Sequence, residues 1–330
     1  MAVTEATRAC GPYSLRLSGR MTGDATRTFR DGRLTALLAP GGRPERATAW
    51  QAPDGTLHLA AETHAGLAEL HFVLALEDDH SPFLQRFRDD PLLGRATREL
   101  RGLRPMRVAT VAQALLRALC GQLITSRQAR AIERAVIRAT MPTHEGLCSP
   151  PTAKALGSLS CADLRRLGLH ARRGATLVRL CRSLELERLR SSSTSDAANR
   201  LERERGLGPW SVGVVCLEGL GRPERGLVGD LGLVKLASAL WGRWVEGHET
   251  AALLEPYGEW AGLASVYLLA GFRRGLIPLD SPGGRSTANR DPRGGHDRRI
   301  AAFRAAERRL ALAGRDHRHG PPAGANLRAR

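Results

Sequence analysis

Hydrophobic and polar positions change period near residue 80. Upstream, Tyr13-Ser14-Leu15-Arg16-Leu17 and Arg33-Leu34-Thr35-Ala36-Leu37-Leu38 alternate as half-buried strands do. Thr48 to Gln51 and Thr56 to Ala60 flank Ala52-Pro53-Asp54-Gly55, whose Pro, Asp and Gly make it a turn between hairpin strands. Ala68 to Leu76 is apolar enough for a further strand. The expectation for residues 1–80 is a small packed antiparallel sheet, with a substrate or DNA surface as the functional alternative. No residue there carries chemistry.

From Ser81 onward the spacing is helical. Pro82 to Arg88 and Leu92 to Arg101 predict short helices, and Val111 to Ile124 a longer one with Leu115, Leu116, Leu119 and Leu123 on its apolar face. Ser126 is the expected cap of a helix over Arg127 to Thr140. Helices follow over Pro150 to Leu156, Ser160 to Leu167, Ala171 to Leu186, Ser195 to Arg205, Leu231 to Trp241 and Gly258 to Gly271. Strands first and then a long helical body over 81–280 make an α+β chain.

One stretch, Leu201 to Lys235, departs from plain helix packing. A polar helix stops at Gly206, the turn Gly206-Leu207-Gly208 follows, and Pro209 restarts a helix carrying Val212, Val214, Val215 and Leu217. Pro suits a first helical position because its missing N–H would have no intrahelical partner. The glycines allow positive φ and leave backbone amides bare at the second helix's N-terminus, where an anion can sit. Gly221 ends that helix, and a loop delivers Asp230 just before the next apolar run. Alone, Asp230 reads as an ordinary N-cap.

Composition changes this picture in three ways. The 330 residues are 42% hydrophobic, enough for a sizeable core. The net charge is +17, which points to a polyanionic partner. Lys154 and Lys235 are the only lysines, so the excess is almost all Arg and partly reflects an Ala, Arg and Gly-rich composition. Segment 281–330 has 12 Arg against 4 acids, hence +8, and reads equally as a basic arm on DNA or a solvated extension. The cysteines, at 10, 120, 148, 161, 181 and 216, form no CxxC and no paired spacing with His. Metal and cluster sites are therefore not expected, and scattered cysteines without a signal peptide or spanning run predict a cytoplasmic, reduced protein.

Four segments together resemble one family: Leu119-Cys120-Gly121-Gln122-Leu123-Ile124, Leu167-Gly168-Leu169 with Arg172-Arg173 and Leu177, the Gly206-Leu207-Gly208-Pro209-Trp210 hairpin, and Gly229-Asp230-Leu231-Gly232-Leu233. They resemble the helix-hairpin-helix (HhH-GPD) DNA glycosylases of base-excision repair, most of all the 3-methyladenine DNA glycosylase II (AlkA) type. The resemblance covers roughly residues 85–275 and implies a small β domain ahead of a helical glycosylase body.

The resemblance also assigns roles. Asp230 becomes the catalytic carboxylate that stabilises positive charge on the deoxyribose and orients or deprotonates water. Trp210 stands where strand-cutting relatives carry a Lys, so the resemblance implies a monofunctional enzyme that leaves an abasic site. Trp210 and Trp260 match aromatic walls of a base pocket, whereas Val214 and Leu231 stand where Tyr is usual. Leu123 becomes a wedge inserted into the duplex with Gln122 its polar neighbour, against plain core packing. Amides of Gly206, Gly208 and Trp210 would hold a phosphate, and Arg173 is a weaker backbone contact. No cofactor is expected beyond a monovalent cation on hairpin carbonyls. The implied partner is double-stranded DNA with damaged bases, approached by a monomer. The implied substrates are 3-methyladenine and 7-methylguanine; hypoxanthine, an oxidised purine, or noncatalytic DNA binding are the alternatives.

Overall fold

The computed structural model describes residues 2–20 and 23–279, so the expectation for segment 281–330 lies outside the described residues. Strands Val3–Thr7 (β1), Arg27–Arg30 (β2), Arg33–Leu38 (β3), Glu45–Gln51 (β4) and Leu57–Ala61 (β5) form one antiparallel sheet in the order β1-β5-β4-β3-β2. The β4–β5 hairpin closes where the sequence put it, with Gln51 opposite Leu57 and the Asp54 carboxylate accepting the Thr56 N–H at 3.0 Å. β1 and β2 were not foreseen.

Two expected strands are helices. Residues 13–17 lead into Leu15–Gly19 (α1), because Ser14 Oγ accepts the Leu17 N–H at 3.3 Å and caps a helical turn. Residues 68–76 belong to His64–Leu74 (α2), capped by Thr63, whose Oγ1 accepts the Gly66 N–H at 3.0 Å. Leu67, Leu70, Val73 and Leu74 bury one face of α2 at a spacing of three and four, against Leu34, Ala36, Leu57 and Leu59 of the sheet. A cap and a helical stripe outweigh apolar content that either structure could use.

The helical body comprises Ser81–Arg86 (α3), Gly94–Glu99 (α4), Val111–Gly121 (α5), Ser126–Thr140 (α6), Ala153–Gly157 (α7), Cys161–Arg166 (α8), Ala171–Ser183 (α9) and Thr194–Glu202 (α10). It continues with Pro209–Val214 (α11), Leu231–Trp241 (α12), Thr250–Leu254 (α13) and Ala261–Arg273 (α14). A π turn, Val215–Leu220, extends α11. A two-residue ladder pairs Thr143–His144 (β6) with Leu147–Cys148 (β7). Several helix boundaries differ from expectation. The helix expected over 111–124 ends at Gly121; α6 is capped by Thr125, in a capping box with Gln128, and not by Ser126. Gly258, at φ +50°, lies in the turn before α14.

Helix α5 is the axis of the body, with every residue from Val111 to Cys120 buried. Its leucines at 115, 116 and 119 are fully covered, each contributing roughly 2 kcal/mol of apolar burial. Arg117 in the same helix is also buried, and it organises a cluster that joins the β-rich part to the helices. Its Nε donates to Glu133 of α6 at 2.9 Å, its Nη2 to Asp24 at 2.6 Å, and its Nη1 to Glu218 of the π turn. Arg27 lies 3.3 Å from Asp24 and Arg130 3.1 Å from Glu133, so three cations meet three carboxylates. Burial pushes the Asp24 carboxyl up, but Arg27 and Arg117 outweigh it and hold the group well below the usual carboxylate range. Glu218 is lowered in the same way, burial being outweighed chiefly by Arg117. Buried Arg104 completes the junction by donating to the carbonyls of Cys10, Pro12 and Ala75. Sheet and helices thus pack as one compact unit.

Candidate functional site

The hairpin is built as its residues require. Gly206 adopts φ +97°, and a Cβ there would come within 2.7 Å of Thr176 Oγ1 on α9, so both backbone and space demand glycine. Leu207 is buried and anchors the turn from inside. Gly208 is the N-cap of α11, with open space where its side chain would be and Pro209 first in the helix. Arg179 braces the turn from α9, donating to Glu204 at 2.6 Å and to the Arg205 carbonyl at 2.9 Å. The start of α11 therefore presents a bare N-terminus with no side chain in front of Gly208, a geometry that accepts an anion.

Asp230 is the N-cap of α12, and Oδ1 accepts the Gly232 N–H at 2.7 Å. Its other oxygen, Oδ2, accepts the indole N–H of Trp210 at 3.0 Å. Gly229, at φ +89°, turns the chain just before it and donates its N–H to buried Thr250 Oγ1 at 2.8 Å. Among the described residues no cation lies within ion-pairing distance of Asp230. The carboxylate thus has two neutral donors and is half-buried rather than sealed.

The end of α5 joins the same group. Gly121 lies against the benzo edge of Trp210, where a Cβ would come within 2.4 Å of Cη2. Gln122 Nε2 donates to the Gly206 carbonyl and to Ser211 Oγ, both at 2.9 Å, so its amide is committed to the hairpin. Leu123 follows at φ +56° and is 94% exposed. Helical spacing from Leu116 and Leu119 does not carry it into the core, because α5 has already ended. A leucine left in water in a left-handed conformation costs free energy on both counts and gains no packing in the free protein. Such strain persists only where the surrounding structure holds the backbone in place.

The remaining expected site residues divide. Arg173, half-buried near Cys120, has its charge disfavoured by burial, and among the described residues no carboxylate pairs with it. Leu231 is half-buried beside Asp230. Val214, by contrast, is only 5% exposed and belongs to the core. Trp260 packs on an aromatic cluster, its ring centre 5.9 Å from Phe83, which also meets Phe87 and Tyr267. No described contact joins Trp260 to Trp210 or Asp230. Gly121, Ser211, Thr250 and the Arg117 cluster were not assigned from sequence. A single Arg inside the apolar run of α5 was a usable signal, since such a charge needs buried partners.

Two surface clefts lie apart from this constellation. One of about 760 Å³ is lined by Asp90, Arg95, Arg98 and Leu276, and one of about 410 Å³ by Glu5, His71, Phe72 and Arg107. Neither is lined by Asp230, Trp210 or the hairpin glycines. Among the described residues no cluster of His, Cys, Asp and Glu is arranged to hold a metal ion, and no helix is long and apolar enough to cross a membrane.

No family model matches the chain. A DNA-3-methyladenine glycosylase of Bacillus subtilis (strain 168) is 25% identical over 210 residues, which is 60% of this chain and 69% of that protein. The fold is similar to that of a 3-methyladenine DNA-glycosylase from Archaeoglobus fulgidus, with a TM-score of 0.71 and 19% identity, covering 82% of this chain and 98% of the other. It is also similar to a Clostridium acetobutylicum 8-oxoguanine glycosylase/lyase solved with double-stranded DNA, with a TM-score of 0.68 and 14% identity over 83% and 99% of the two chains. The glycine hairpin, the following Asp230 and the β-rich part ahead of the helices thus occur in a chain that is similar in sequence to a DNA-3-methyladenine glycosylase and in fold to further DNA glycosylases.

Proposed function

We propose that this chain is a monofunctional DNA glycosylase that removes alkylated purines, 3-methyladenine and 7-methylguanine, from double-stranded DNA and leaves an abasic site. The observation that carries the reading is Asp230, a half-buried carboxylate held by the hairpin's own Trp210 and, among the described residues, left without a cation. Cleavage of an N-glycosidic bond develops positive charge on the sugar. A carboxylate already neutralised by Arg would contribute little; one held only by neutral donors keeps its field for the substrate.

In the reaction, hairpin amides at Gly208 and Trp210 take a backbone phosphate, and Leu123 fills the space of the extruded nucleotide. The bond from C1′ to the base nitrogen breaks, and its electron pair leaves with the base. An alkylated base is cationic before cleavage and departs neutral, so no leaving-group acid is required. Water adds to C1′ while Asp230 stabilises the sugar cation and accepts the water's proton. Trp210 offers an aromatic face to a cationic base, an attraction of about 0.5–2 kcal/mol. Leu231 supplies an aliphatic wall, and Arg173 a backbone contact. The carbonyls of Arg205 and Gly206 each already accept a hydrogen bond, a poorer donor set for a monovalent cation than a turn with free carbonyls. We propose that the protein acts as a monomer in the cytoplasm.

Release of free base from methylated DNA tests the reading. Asp230→Asn should lower release about a hundred- to a thousandfold while binding to abasic-site DNA persists; a wild-type protein that binds such DNA but liberates no base from a panel of lesions overturns it. Trapping with borohydride tests the lyase question, because Trp210 has no amine and a covalent adduct would refute monofunctional chemistry. A second reading, an oxidised purine as substrate, is favoured by the aliphatic Leu231, and the same lesion panel separates the two.

A further inference from the structure

We infer that Trp210 is a positioning residue for Asp230, acting through its indole N–H, in addition to any face it shows to the base. The inference rests on Asp230 being the catalytic carboxylate. Two donors fix this carboxylate, and they come from different elements. The Gly232 N–H belongs to the same helix turn as Asp230 and binds Oδ1 as in any capped helix. The indole N–H comes from α11 and binds Oδ2 at 3.0 Å. With only the first, the carboxylate plane is free to turn about its Cβ–Cγ bond; with both, the plane is set.

The indole itself has little freedom. Its benzo edge lies against Gly121, so close that a methyl group there would collide at 2.4 Å from Cη2. Its Cβ lies 3.9 Å from where a Cβ on Gly229 would stand. The backbone before Asp230 is fixed by the Gly229 N–H on Thr250 Oγ1, itself bonded to the Gly247 carbonyl at 2.7 Å. Trp210 therefore spans from the end of α5, two residues ahead of Leu123, to the carboxylate. An aromatic residue that served only as a pocket wall would need the ring and no N–H.

That distinction sets the experiment. Trp210→Phe keeps an aromatic ring and removes the donor; Trp210→Ala removes both. Single-turnover release from methylated DNA is measured beside the dissociation constant for abasic-site DNA, with Asp230→Asn as reference. If Trp210 positions Asp230, Trp210→Phe lowers the single-turnover rate about ten- to hundredfold and leaves DNA affinity within about threefold, the size of one hydrogen bond to a charged group. If Trp210→Phe keeps the wild-type rate while Trp210→Ala loses it, or if the loss appears only as weaker binding, the ring alone matters and the inference fails. Should Trp210→Phe not fold, replacing Trp210 by 3-benzothienylalanine decides: it keeps the fused ring and lacks the N–H, and an unchanged rate overturns the inference while a loss at constant affinity upholds it. A wild-type rate in Asp230→Asn would refute the catalytic assignment itself, a result distinct from either outcome for Trp210.

Discussion

Asp24 and Asp230 show two uses of the same side chain. Asp24 is fully buried, accepts both the Thr26 N–H at 2.8 Å and the Thr26 hydroxyl at 2.7 Å, and faces Arg117 and Arg27. Asp230 is half-buried, accepts two neutral N–H groups and faces no described cation. In the first region charge is cancelled locally, and the carboxylate serves to fasten layers together. In the second, charge is held in place without being cancelled, which leaves it available to a positive centre arriving from outside. What differs is the company of the carboxyl group, set by chain segments far from it in sequence.

The comparison breaks most easily at the buried cluster. Arg117→Met should cost about 3–5 kcal/mol, because it leaves the three carboxylates of Asp24, Glu133 and Glu218 with only Arg27 and Arg130 as counter-charges in the interior. Urea unfolding measures this, and a loss under about 1 kcal/mol would mean that the cluster does not fasten the layers. Asp230→Asn should shift stability by no more than about 0.5 kcal/mol, since Asn caps a helix as well as Asp. The same substitution should lower base release about a hundred- to a thousandfold. Leu123→Gly should leave stability unchanged or raise it by up to about 1 kcal/mol, by relieving the left-handed backbone of an exposed residue. Equal loss from Leu123→Gly and from a buried leucine such as Leu119→Ala, where about 2–5 kcal/mol is expected, would place Leu123 in the core after all.

Glu69 offers the smallest and most conditional effect. Burial pushes its carboxyl from 4.5 up to about 7, with Arg190 opposing and Glu45 and Glu187 adding to the rise. The folded chain thus holds a proton that the unfolded chain gives up between these values. Its contribution to stability is present below pH 4.5, falls as pH rises to about 7, and is level above. Glu69→Gln should therefore raise the melting temperature above pH 7 and leave it unchanged below pH 4.5; an equal gain at both pH values would exclude titration as the cause.

The hairpin turn and the Asp230 cap were legible in sequence because each is local, whereas their roles came from resemblance. Gly206, Gly208 and Pro209 declare a turn and a helix start within four residues, and Asp230 declares a cap. The Arg117 cluster was not legible because its partners lie 16, 93 and 101 residues away, a pairing that no window of periodicity contains. α1 and α2 were misread for the opposite reason. A short alternation and an apolar run fit a strand until the capping side chains of Ser14 and Thr63 are given their weight. Leu123 was ambiguous between core and wedge because the helix pattern runs smoothly past Gly121, whereas the backbone does not. Val214, placed in a pocket by resemblance, lies in the core because α11 is buried on every side from Ser211 to Val214.

The π turn at Val215–Leu220 joins these two regions, with Trp210 upstream of it and Glu218 within it. Each residue added to or removed from a helix rotates everything beyond it by about 100°. Deleting one residue here would restore ordinary winding but put Trp210 and Glu218 out of phase, so that the indole could meet Asp230 or the carboxylate could meet Arg117, not both. Chain length is thus as constrained in this segment as any side chain around Asp230, and single-residue insertions or deletions should be tolerated there less readily than most substitutions.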